Sequence, residues 1–220
     1  MTDTTIDIRN ASLDAFQSFV FDHDVHEIGS EQTWYHDPGL TVLFDPEHSA
    51  TCFTEMLENA GSLLSRFDRA QVEQGCWAMF GAGFDGNLYE LIWHDDVSIQ
   101  AKETLIASMY DVYRDLFSHD PLGEACEMWW DGLAYDIHPM GVADVVHNPE
   151  HRRIQDAMFK TLAKILKLNS IDCQSAALHG LNHVAHPDTE RLIESFIKDH
   201  PELSDESIEY ARLCAKGQAL

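Results

Sequence analysis

The stretch MFKTLAKILKLNSIDCQSAALHGLNHVA, residues 158–185, sets the fold class of this chain. Its apolar residues recur every three to four positions, the period of a helix with one buried face. Met158, Leu162, Ile165 and Leu166 extend a stripe begun by Ile154, and Asn148-Pro149 supplies the start signal for this first helix, which the pattern carries to about Leu168. After the polar turn Asn169-Ser170-Ile171-Asp172, a second helix presents Cys173, Ala176, Ala177, Leu178, Leu181 and Val184. Small residues in that run let two helices approach closely. His186-Pro187-Asp188 makes the next turn. Two further helices follow at 189–199 (Leu192, Ile193, Phe196, Ile197) and 205–216 (Ile208, Ala211, Leu213, Cys214), with Ser204 and Gly217 as end signals.

The Leu/Ile-rich first helix, the short polar turn and the Ala176-Ala177-Leu178 run near the start of the second helix together resemble a HEAT-type helical repeat. The resemblance is clearest over about residues 154–217. It departs from the usual pattern at Asn169-Ser170, where such repeats carry a turn aspartate, and at Gln174, where they carry an arginine. The resemblance implies an αα-superhelix, a stack of antiparallel helix pairs with an extended face open to a partner.

Upstream the same helical rhythm continues, so the expected architecture is a single all-α domain over 1–220, acidic over residues 1–150 and HEAT-like over residues 151–220. Ser12 caps a helix carrying Leu13, Phe16, Phe19 and Val20. Residues 22–46 read as a long ordered loop. Asp45-Pro46 opens a helix that Gly61 ends, and Asp68-Arg-Ala-Gln71 is a capping-box variant opening a segment that Gly81-Ala-Gly83 stops. Ser98 caps a helix to about Ser118. Asp120-Pro121 opens another, with Leu122, Cys126, Trp129 and Leu133 inward and Glu124, Glu127 and Asp131 outward. Residues 136–148, with Pro139 and Gly141, read as loop. No segment reads as β, and the short run with Leu88, Leu91 and Trp93 fits strand or helix equally.

Charge is unevenly divided. Residues 1–150 hold 28 Asp and Glu against five Lys and Arg, whereas residues 151–220 hold 10 against nine. A net charge of −24 disfavours nucleic acid and anionic lipid as partners and favours a basic protein or peptide. The five scattered cysteines fit reduced thiols, and with no export signal and no apolar run of membrane-spanning length the expected location is cytoplasmic. Cofactor motifs are missing: there is no P-loop, no dinucleotide fingerprint and no nucleophile elbow. Asp22-x-Asp24-x-His26 starts like a calcium loop but lacks its glycine and its bidentate glutamate.

Two constellations remain. Acids interleave with aromatics at Trp34, Tyr35 and Asp37 and at Glu124, Glu127, Trp130 and Asp131, a composition suited to an interface for a basic partner, with Trp34, Tyr35 and Trp130 expected at the surface. One form of that function is an inhibitor or immunity-type protein covering a basic toxin. His179 and His183 stand four apart on one helix, a metal-ligand spacing, but Gly180 occupies the place where motifs of this kind carry a carboxylate. With His23-Asp24, His94-Asp95 and His119-Asp120, they make a metal-assisted hydrolase the first alternative. A scaffold or homo-oligomer, using the basic stripe Arg153, Lys160, Lys164 and Lys167, is the second.

Overall fold

A computed structural model describes residues 4–81, 83–134, 137 and 143–219. Of the loop expected at 136–148, positions 136 and 138–142 fall outside these residues, Pro139 and Gly141 included. The chain is mostly helical: α1 (Leu13–Phe21), α2 (Pro46–Glu58), α3 (Arg69–Phe80), α4 (Leu88–Trp93), α5 (Ile99–Val112), α6 (Ala125–Leu133), α7 (Pro149–Ile165), α8 (Ile171–Val184), α9 (Thr189–Asp199) and α10 (Asp205–Ala215). Local signals start most of them. Ser12, Asp45, Asn87, Ser98, Asn148, Ser170 and Ser204 each accept a backbone N–H of the first turn. Asp68 and Gln71 close the capping box of α3. Among the described residues, no helix is long and apolar enough to cross a membrane.

Several boundaries differ from the sequence reading. Leu122 and Gly123 both adopt positive φ, +52° and +63°, so α6 starts at Ala125 and not at Pro121. Leu122 is nevertheless buried, held from the turn itself. A π-helical turn over Tyr113–Phe117 extends α5, and the Tyr113 hydroxyl donates to the carbonyl of Cys126 at 2.6 Å. The ambiguous 88–93 segment is helical because Asn87 caps it, accepting from Glu90 N at 3.0 Å. The expectation of no β structure is corrected too. Two four-residue strands, β1 (Thr4–Asp7) and β2 (Leu40–Leu43), pair in parallel with Thr4 opposite Leu40 and Asp7 opposite Leu43, the second lying inside the span read as loop. Strands so short carry no usable alternation.

Packing runs from helix to helix. α5 lies between α2 and α7, α8 contacts α7, α6 and α10, and α3 contacts α1 and α6. The buried apolar side chains form one contiguous cluster from Ile8 to Cys214. On α7 the inner stripe Ile154, Met158, Leu162 and Ile165 is fully buried, as are Cys173, Ala176, Ala177, Leu181 and Val184 on α8. Leu213, expected inside, is 38% exposed. Polar ties hold what apolar contact does not. The buried Gln74 amide accepts from His26 N at 2.9 Å and donates to Asp24 O at 3.0 Å, fastening the acidic loop to α3. Lys102, buried on α5, reaches Glu150 at 2.6 Å at the start of α7.

Candidate metal centre

Two side chains of α8 and one of α6 converge beside the contact between these helices. His179 and His183 lie one turn apart, so both imidazoles project from one face. Their Nε2 atoms are 3.1 Å apart. Asp131 Oδ1 stands 2.9 Å from Nε2 of His183 and 3.9 Å from Nε2 of His179. Among the described residues this is the single group of three or more His, Cys, Asp or Glu side chains close enough to share an ion.

Gly180 explains how the carboxylate arrives. A Cβ on it would lie 2.7 Å from Leu162 Cδ2 and 2.9 Å from Trp130 Cβ, closer than atoms in contact tolerate. The bare glycine therefore lets α6 settle against α8 at Trp130, and the next residue is Asp131. The carboxylate that Gly180 denies the His179/His183 helix in sequence is supplied by another helix in space.

The geometry suits a small divalent ion. Around a tetrahedral zinc with bonds of about 2.0–2.1 Å, neighbouring donors stand roughly 3.3–3.4 Å apart, a value bracketed by the three separations observed. Imidazole nitrogen and carboxylate oxygen are donors that zinc and its first-row neighbours accept. The triangle can also be satisfied by protons on the imidazoles, so protons and a divalent cation compete for the same atoms.

An outer contact orients one ligand. The Tyr210 hydroxyl on α10 lies 3.5 Å from His179 Nδ1. With Nδ1–H donating to that oxygen, the lone pair of Nε2 faces Asp131, the tautomer a metal requires. Burial pushes the Tyr210 hydroxyl well above its ordinary pKa, keeping it a neutral phenol. The cluster opens into a cavity of about 840 Å³ whose lining includes Glu127, Ser175, Tyr210 and Gln218. Asn182 builds one wall: its amide accepts from Ala219 N at 3.1 Å and donates to Ala219 O at 3.3 Å, holding the chain around Gly217–Ala219 beside the site.

The acid-aromatic residues fall out differently from one another. Glu124 and Glu127 are exposed, while Asp131 faces the histidines. Trp130, expected at the surface, is fully buried. Its helix is covered by α3 on one side and α8 on another, so a position off the first apolar stripe is enclosed by the second neighbour. Tyr35 is likewise buried, at 6% exposure, and Trp34 is half-buried, stacked on His23 with ring centroids 4.1 Å apart. Asp37 is exposed and accepts from Gly39 N at 2.8 Å.

The other His-Asp pairs make structural contacts. His23 bonds Phe19 O at 2.6 Å, His94 Nδ1 accepts from Asp96 N, and Asp120 pairs with Arg69. His186 bonds Asp156 and stacks on Phe159. Asp131 is the member of the candidate site that sequence reasoning places with a different surface. Helical spacing puts it in an outward acidic stripe, and nothing local signals that the stripe on one helix meets the histidine pair on another.

No match was found for this chain among protein-family models, curated proteins or solved structures. The functional reading rests on the residues themselves.

Proposed function

We propose that this chain is a metal-assisted hydrolase in which Asp131, His179 and His183 hold a divalent transition-metal ion. The observation that carries the reading is the convergence of three donor atoms from two helices at the wall of a cavity. Three protein ligands with a free coordination position are the arrangement of catalytic zinc sites, whereas structural sites are closed by four. An ion held by these three residues would supply the acidification of a bound water. Glu127, one helical turn before Asp131 and lining the same space, would take that water's proton. The test is a titration of tag-free, metal-stripped protein with zinc and cobalt, followed by assays on chromogenic esters and phosphoesters. One equivalent bound, and turnover that Asp131→Asn abolishes, support the reading. Absence of binding at micromolar metal overturns it.

A second reading concerns a different surface. Asp22, Asp24, Glu27, Glu31 and Asp37 are exposed, and none pairs with a Lys or Arg among the described residues. This loop suits a basic protein partner, in the manner of a cytoplasmic inhibitor or immunity-type protein built on a HEAT-like α-solenoid. Capture of a basic protein that elutes with salt, and is lost when Asp22, Asp24 and Glu31 are changed to Lys, supports it; capture unaffected by those changes counts against it. A homo-oligomer using the basic stripe of α7 is less favoured, because Arg153 is already held by Glu103 at 2.6 Å and 2.9 Å and Lys164 sits over the Tyr110 ring.

A further inference from the structure

A second cavity of about 380 Å³ adjoins the one beside the metal cluster, between α8, α9 and α10, and the two share Ser175 and Tyr210 in their walls. Their chemistry differs. The first presents Asp131, His179, His183 and Glu127. The second is lined by Ile171, Leu178, Phe196 and Leu203, with Glu206 and Ser207 also in its wall.

The register of α8 accounts for this adjacency. Ile171, Gln174, Ser175 and Leu178 follow the i, i+3, i+4, i+7 spacing of one stripe, and His179, Asn182 and His183 follow the neighbouring stripe toward the helix C-terminus. Both stripes contribute to cavities bordered by Tyr210 of α10. Ile171 is 83% exposed, more than any other large apolar side chain among the described residues. A lone exposed isoleucine is ordinary, but this one lines a cavity with Leu178, Phe196 and Leu203, next to the cavity that holds the Asp131/His179/His183 cluster.

We infer that the substrate of the proposed metal centre is a neutral acyl compound with an aliphatic tail, its acyl head at Asp131, His179 and His183 and its tail passing Ser175 and Tyr210 into the second cavity. This inference rests on the metal-site reading above and adds the substrate class. A neutral ester or amide carbonyl is the head that a bound divalent ion would polarise, and Glu206 in the wall of the second cavity disfavours an anionic tail. The reaction is hydrolysis of an ester or amide. Water oxygen bonds to the acyl carbon, the bond from that carbon to the leaving oxygen or nitrogen breaks, and the water's proton passes by way of Glu127 to the leaving group.

The experiment uses the full chain and begins with the zinc titration, so failure of the metal site is seen separately and ends both readings at that stage. Acetohydroxamic, butyrohydroxamic and octanohydroxamic acids, uncharged in solution near neutral pH and chelating zinc with loss of one proton, are then titrated calorimetrically into the loaded protein. Affinity is expected to rise about threefold to fourfold per added methylene while the tail is being buried. Ile171→Asp, in the wall of the second cavity and not of the first, is expected to remove the gain for the longer chains while zinc stoichiometry and acetohydroxamic acid affinity stay unchanged. Equal affinity across the series in zinc-loaded protein overturns the inference, and so does a chain-length dependence that Ile171→Asp leaves intact.

Discussion

Gly180 on α8 and Trp130 on α6 pack so closely that a Cβ at position 180 would fall 2.9 Å from both Cβ and Cγ of the tryptophan. This contact joins the fold to the candidate site. It sets the separation of the two helices, and thereby whether the carboxylate of Asp131 reaches the imidazole of His183.

Gly180→Ala is therefore expected to lower stability by about 1–3 kcal/mol through overpacking, even though alanine is the better helix former. It is also expected to weaken metal binding, because α6 must move away. Denaturant unfolding and zinc titration of the same sample check both effects.

Asp131→Asn and Tyr210→Phe separate a ligand from a positioning residue. Loss of a partner that orients a metal-bound histidine typically costs about 10–100-fold in metal affinity. Tyr210→Phe is expected within that range, and Asp131→Asn beyond it. Zinc competition with a chromophoric chelator measures both, and circular dichroism should show unchanged helix content.

Protons released on metal binding give the sign of its pH dependence. Acidification favours protonated imidazoles over the ion, so zinc affinity is expected to fall as pH is lowered. Calorimetry in buffers of different ionisation enthalpy counts the protons released.

Gln74→Leu tests the anchor of the acidic loop. The substitution leaves the amide of His26 and the carbonyl of Asp24 without their partner, a loss of about 1–3 kcal/mol if both groups stay shielded from water. Hydrogen exchange at His26 is expected to quicken, with α7 to α10 unchanged.

Asp120 supplies an acid-sensitive link. The Arg69 guanidinium, at 2.7 Å and 2.9 Å, holds the Asp120 carboxyl below its ordinary pKa. Its folded value lies below its unfolded one, so its stabilisation is present above the ordinary carboxylate range and is lost as pH falls through the lowered value. Asp120→Asn is expected to flatten the acid limb of the stability curve. Melting temperatures between neutral and acid pH measure that slope.

The helices of the C-terminal third are the most legible segment of this chain, for a local reason. Ser170 caps α8, Ser204 caps α10, and the stripes on α7 and α8 repeat at helical period over several turns, so each helix carries its own start and its own buried face. Legibility fails where a residue's environment comes from afar. Trp130 lies off the main stripe of α6 and is enclosed by a second helix; β1 and β2 are too short to show alternation until they pair. The candidate site is half legible. The spacing of His179 and His183 is visible along the chain, but their third partner lies 48 residues before His179 on a separate helix.

Helical class, most capping residues and the inward stripes are properties of neighbours within one or two turns, and the amino-acid order is sufficient to specify them. The meeting of an acidic face with a histidine pair depends on how close two packed helices come. That distance is set by the volume at Gly180, Trp130 and Leu162 together, a three-helix quantity that no single stretch of sequence contains.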